Sequence, residues 1–172
     1  MQPKESGSEF SGGPNTALHD EDENLRKYIL FNLGGELYGA PLLSIREVIK
    51  LREFKPVPYM VPYFKGVINL RGQIISVIDL RMKFSLKSPE AGAGLVLVVE
   101  TKQGLIGTVI DSLVSVHRFE AKDIEPAPAL ETKIPVQFFS GVAKLGERLV
   151  NLIDLTGCIS SDELRTIKSS AA

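Results

Sequence analysis

From Tyr28 onward the chain is written in short aliphatic runs punctuated by glycine and proline. YILFNL, then Gly34-Gly35, then ELYGAPLL reads as two strands joined by a tight hairpin, because glycine adopts the positive φ angles that such turns demand. LVLVVE, Lys102-Gln103-Gly104 and LIGTVI repeat that design, with Leu37 and Gly39 answered by Leu105 and Gly107. At the end, SSDELRTIK predicts a short helix, with Ser160 or Ser161 as its cap and Asp162 and Glu163 favoured by the N-terminal dipole.

A longer echo orders these elements. Phe64 to Leu80 reads FKGVINLRGQIISVIDL and Phe139 to Leu155 reads FSGVAKLGERLVNLIDL. Without a gap the two share Phe, Gly, Val, Leu, Ile, Asp and Leu at matching places, and they differ at the centre, where Arg71-Gly72 faces Gly146-Glu147. Each half therefore reads as a hairpin, an irregular Pro-rich crossover (KPVPYMVP or EPAPALETKIP), and a second hairpin ending in IDL. Proline cannot donate to a central ladder, so the crossovers belong on edges or the surface. About five short strands per half shelter an apolar face only by closing on themselves. The expected fold is mainly β: two five-stranded barrels, residues 26–88 and 89–160, packed together, with strand exchange between them allowed and a helix or tail over residues 161–172.

Composition and charge bound the rest. With 172 residues and 44% hydrophobic content the chain builds one ordinary domain or two very small ones. Residues 1–25 are rich in Gly, Ser, Pro and acidic groups and read as a flexible tail that buries too little to offset its ordering entropy. Asp20, Glu21, Asp22 and Glu23 make that end acidic, whereas Arg46 to Lys87 carries nine Lys or Arg against Glu47, Glu53 and Asp79. Such an excess favours encounter with acidic surfaces, or is an ordinary solvated face. No apolar run approaches the roughly 20 residues of a membrane span, and the N-terminus lacks a secretory pattern, so the expected location is the cytoplasm. The single cysteine, Cys158, has no internal disulfide partner.

Catalytic chemistry has no foothold in the motifs. His19 and His117 lack carboxylate or cysteine partners at metal or triad spacing, and no phosphate-cradling glycine motif occurs, so neither enzyme activity, cofactor nor metal is expected. Asp79 and Asp154 occupy matching places in the repeat, which points to a shared structural task such as receiving backbone N–H groups at a strand end. A nucleic-acid-binding barrel is the rival suggested by the basic first half. It is weakened by the lack of Trp and by the grouping of Phe54, Tyr59, Tyr63 and Phe64 around the Pro-rich crossover.

Tyr38-Gly39, LLSIREVI and FKGVINLRGQIISVIDLRMKF together resemble the CheW family of chemotaxis coupling proteins, over about Tyr28 to Leu164, that is, one domain at 26–164. The NLRG turn is shared with the regulatory domain of the CheA kinase and with the N-terminal part of CheV. The sequence has no room for kinase or receiver domains after the second barrel, which favours a free-standing coupling protein. The resemblance implies two SH3-like barrels and a non-catalytic role joining chemoreceptor cytoplasmic tips to a CheA-type histidine kinase, with localisation to membrane receptor arrays through those partners and possible array-forming self or kinase-domain contacts. An adaptor of another histidine-kinase pathway, controlling surface motility or gene expression, is the alternative within the same fold. By motif, the receptor-binding positions fall on Leu42, Ile45, Glu47, Val48 and Arg71. Kinase-binding positions carry no comparable motif and are unassigned.

On their own chemistry these residues leave two readings open. Five of the eight residues in LLSIREVI are aliphatic, more than one buried strand face uses, so they serve either the core or an exposed groove. Glu47 and Arg71 either pair with each other or meet a partner, and Glu47 has no acidic match at Ser115 in the second half.

Overall fold

A computed structural model describes residues 27–88, 94–127 and 132–171, so the acidic N-terminal segment lies outside the described residues. Among the described residues eleven strands run in the order β1 (Lys27–Leu33), β2 (Glu36–Pro41), β3 (Ile45–Lys50), β4 (Phe64–Leu70), β5 (Gln73–Ile78), β6 (Leu95–Thr101), β7 (Gly104–Ile110), β8 (Ser112–Arg118), β9 (Ile124–Glu125), β10 (Phe139–Leu145) and β11 (Arg148–Ile153). Helix α1 (Leu80–Lys83) follows β5, and α2 (Ser161–Ala171) ends the described chain.

The strands form two sheets, β8-β1-β2-β11-β10-β9 and β3-β6-β7-β5-β4. Neither follows the contiguous halves 26–88 and 89–160. Hairpin β1–β2 joins the strands of the second half, and hairpin β6–β7 joins those of the first. The exchange is symmetric: parallel contacts set Gly39 beside Leu152 in one sheet and Gly107 beside Val77 in the other. A Cβ on Gly39 would sit 3.0 Å from the Leu152 and Leu30 side chains, and one on Gly107 would sit 2.7 Å from Val96, so both glycines permit the close approach. One sheet has six strands instead of the expected five, because the short β9 adds to β10, and neither ladder closes into a complete barrel. In the five-stranded sheet a single bridge, Lys55 to Val67, stands where β9 pairs in the other.

Each sheet curls over its own apolar interior, as in an SH3-like barrel. Leu30, Leu37, Phe119, Ala143, Val150 and Leu152 fill one, and Ile68, Ile75, Val77, Val96, Val98 and Val109 fill the other. A third and larger core lies between the sheets, where Ile29, Phe31, Leu33 and Tyr38 meet Ile78, Leu97, Val99, Ile106 and Ile110. Strands such as β6 are thus buried on both faces, which is why LVLVV is continuously aliphatic instead of alternating.

The repeat is visible in fine detail. Hairpins β4–β5 and β10–β11 shift register at matching places, between Phe64 and Gly66 and between Phe139 and Gly141. Asp79 Oδ1 accepts the Arg81 N–H at 2.9 Å, and Asp154 Oδ1 accepts the Thr156 N–H at 3.0 Å, the shared strand-end task expected of this pair. Helix α2 begins with a capping box: Ser160 Oγ accepts the Glu163 N–H (3.1 Å), and Glu163 Oε2 accepts the Ser160 N–H (2.8 Å). Its Leu164 and Ile167 are buried in the core between the sheets. Among the described residues no helix is long and apolar enough to cross a membrane.

Candidate functional site

The hairpin tip between β4 and β5 is a two-residue loop, with Leu70 paired to Gln73. Arg71 has φ +52 and Gly72 φ +83, the left-handed pair that matches the twist of a tight hairpin. Asn69 Oδ1 accepts the Gly72 N–H at 2.8 Å and fixes the turn. Glycine takes this conformation freely, but an arginine does so at a cost of about 1–2 kcal/mol. Here the strained residue aims its side chain across the sheet.

Its target is Glu47 on β3. Arg71 Nη1 and Nη2 donate to Glu47 Oε1 and Oε2, both at 3.0 Å, a planar two-point match that lysine cannot make. Strand β3 and the β4 side of the hairpin are opposite edges of the same sheet, so the ion pair spans the open seam. A register shift between Ile45 and Glu47 leaves Arg46 out of the ladder, turned to Glu100 at 3.7 Å. The Arg71 side chain stays 77% exposed while that of Glu47 is 22% exposed, so the acid is partly sheltered and the guanidinium faces outward. An exposed pair contributes only about 0–1 kcal/mol, and its effect is orientation more than stability.

The apolar positions divide. Leu42, Ile45 and Val48 are half-buried and pack on the core between the sheets, Ile49 turns into the interior of its own sheet, and Leu43 alone of this group is exposed, at 61%. The aliphatic excess of LLSIREVI is therefore shared between two cores, with one side chain left for solvent.

A second surface escaped the sequence analysis. Strand β8 is the free edge of the six-stranded sheet, and its Leu113, Val114 and Val116 are 42%, 40% and 53% exposed. A bulge at Val114 interrupts the pairing with β1, which twists the edge and blunts strand addition. Three exposed apolar side chains on one edge strand make β8 a candidate interaction surface. The run LVSV looks like an ordinary half-buried strand, and only its place at a sheet edge distinguishes it.

The remaining candidates take structural places. His117 lies against Phe119, with ring centroids 4.6 Å apart. Cys158 is buried, and burial first, with Asp154 adding to it, pushes its thiol up to about 12, so it packs as a small apolar group. His19 lies outside the described residues. Among the described residues no cluster of His, Cys, Asp or Glu suits a metal ion.

Comparison with known proteins agrees with this architecture. Residues 27–163 match the CheW-like domain family. The chain is 31% identical over 147 residues to the chemotaxis protein CheW of Klebsiella aerogenes, covering 85% of this chain and 89% of that protein. It is 32% identical over 145 residues to the chemotaxis protein CheW of Helicobacter pylori, covering 83% and 87%. The crystal structure of the scaffolding protein TtCheW from Thermoanaerobacter tengcongensis superposes with a TM-score of 0.73 at 26% identity, covering 92% of this chain and 96% of that one. With its repeat, its paired sheets and its NLRG turn, the chain belongs to the CheW-like family of chemotaxis coupling and scaffold proteins.

Proposed function

We propose that this chain joins the cytoplasmic tips of chemoreceptors to a CheA-type histidine kinase, without chemistry of its own, in the cytoplasm beneath receptor arrays. Holding two partners on one small body raises their effective concentration, and differential contact with partner states transmits a coupling free energy. The observation that supports this reading most is the two-point Glu47–Arg71 pair, which sets a fixed, outward-facing guanidinium on a rigid sheet. Glu47 and Arg71 form the polar part of the receptor surface, and Leu42, Ile45 and Val48 support it from below. The exposed Leu113 and Val116 of β8 offer a separate apolar surface on the other sheet.

Co-sedimentation tests the reading. The full chain mixed with receptor cytoplasmic fragments and kinase is expected to bring all three into one pellet, with little kinase pelleting when the chain is left out. A pellet of the same composition with and without the chain contradicts it. A salt-sensitive shift of labelled single-stranded DNA at micromolar protein, without receptor binding, would favour the nucleic-acid alternative.

A further inference from the structure

The chain passes between the two sheets at two places: Leu42–Ser44 carries it from β2 to β3, and a single residue, Asp111, carries it from β7 to β8. Asp111 is tied on every side. Its N–H donates to Asn32 O at 3.0 Å and its Oδ2 accepts the Gly34 N–H at 2.8 Å, both on the β1–β2 hairpin of the six-stranded sheet. Its Oδ1 accepts from Arg81 Nη1 at 2.6 Å, and Arg81 sits on α1 at the end of β5, in the other sheet.

Arg81 is equally committed. Its Nε and Nη2 donate to Asp79 Oδ1 and Oδ2 at 2.9 and 2.7 Å, and its side chain is only 9% exposed. The hydrogen bond to Asp79 outweighs the cost of burial and raises the guanidinium pKa further, so the group is charged at every working pH. Asp79 is fixed in turn by its own N–H, which donates to Tyr63 O at 2.8 Å.

The repeat supplies an internal control. At the position of Arg81 the second copy has Thr156, whose N–H and hydroxyl both go to Asp154 Oδ1, and the cation that meets this end is Lys83 of α1, which donates to Cys158 O at 2.7 Å. At the position of Asp111 the first copy has Leu43, exposed at the other crossing. Capping the strand end thus needs only the aspartate. The guanidinium bridge is an addition made in one copy.

We propose that the Arg81–Asp111 pair sets the angle between the two sheets, which makes Arg81 and Asp111 positioning residues for the partner surfaces that the sheets carry. The apolar core between the sheets holds them together but is non-directional, whereas a forked guanidinium with two fixed carboxylates accepts one geometry. The Glu47–Arg71 pair lies on the five-stranded sheet and the exposed β8 stripe on the six-stranded one, so this angle decides how both meet a partner. The functional half of this inference rests on the receptor and kinase reading above; the geometric half does not.

The variant Asp111→Asn separates the two. It leaves Arg81 neutralised by Asp79, whereas removing Arg81 would leave two carboxylates buried together. In the full chain, Lys102→Cys and Glu147→Cys place spin labels on exposed turns of the two sheets, while the buried Cys158 stays unlabelled. Pulsed electron resonance on the parent is expected to give one narrow distance distribution. Asp111→Asn is expected to widen it roughly twofold or move its maximum, with cooperative unfolding kept. Arg81→Lys, which keeps the charge but loses the fork, is expected to act in the same direction and carries the test if Asp111→Asn does not fold. A parent-like distribution in the folded variants overturns the proposal. Receptor-stimulated kinase activity of the same proteins reads the functional half. If the parent couples, the variants are expected to lose coupling, and normal coupling with an altered distance overturns that half. If the parent itself does not couple, the receptor and kinase reading fails while the distances still decide the clamp.

Discussion

Arg71 and Glu47 lie 24 residues apart and on opposite edges of one sheet, yet their side chains meet in two parallel hydrogen bonds of 3.0 Å. The contact depends on a non-glycine residue in the left-handed region at the hairpin tip and a bulge in β3 beside Glu47. Two local departures from regular geometry converge on one ion pair, a pattern characteristic of functional surfaces.

A charge exchange separates holding the seam from meeting a partner. Glu47→Arg with Arg71→Glu should restore the pair in reverse and change stability by about 1 kcal/mol, because the Arg71 end of the pair is solvent-exposed while the Glu47 end is only partly sheltered. Receptor binding should stay lost in the exchanged protein. Full recovery of binding would show that the pair only shapes the site.

The β8 stripe predicts a second separation. Val116→Lys on this exposed edge should shift stability by no more than about 0.5 kcal/mol. Titration with receptor fragment should show weakened binding, and unchanged affinity would remove β8 from the partner surface.

Acid should remove the stability that Glu163 contributes at the start of the C-terminal helix. Burial works to raise the Glu163 pKa, but hydrogen bonds from Tyr63, the Ser160 N–H and Lys83 outweigh it and hold the carboxyl down from 4.5 to about 2. A carboxyl with a depressed folded pKa contributes stability that is present above about 4.5 and is lost as pH falls toward 2. Thermal melts from pH 5 to pH 2 should show this loss in the parent and a smaller one in Glu163→Gln. Parallel curves for both proteins would contradict the assignment.

The acidic segment should be dispensable for folding. Deletion of residues 1–25 removes none of the core side chains named above and is expected to leave the melting temperature within a few degrees of the parent. A large fall would show that the segment packs on the sheets.

Much of this was legible in the sequence, for identifiable reasons. The gap-free echo of Phe64–Leu80 in Phe139–Leu155 reports one hairpin built twice, down to the bulges and the capping aspartates. Arg71, unmatched within that echo, and Glu47, unmatched at Ser115, do pair. The exchange of hairpins between sheets rests on parallel contacts such as Gly39 with Leu152, whose distance along the chain leaves no local pattern. For the same reason nothing in the sequence singles out Arg81, whose partner Asp111 lies 30 residues away. The half-burial of Leu42, Ile45 and Val48, and the exposure of β8, depend on which strand stands at an edge, a property of the assembled sheet and not of any segment.

Phosphate transfer to the kinase, in a reconstituted mixture of receptor fragment, kinase and either the parent chain or Arg71→Glu, decides whether the Glu47–Arg71 surface couples receptor to kinase. The parent is expected to raise kinase activity in a receptor-dependent way, and Arg71→Glu to leave it near the level without the chain while unfolding at nearly the parent's temperature. Receptor-dependent activation by Arg71→Glu equal to that of the parent would contradict the assignment of the Glu47–Arg71 surface to coupling.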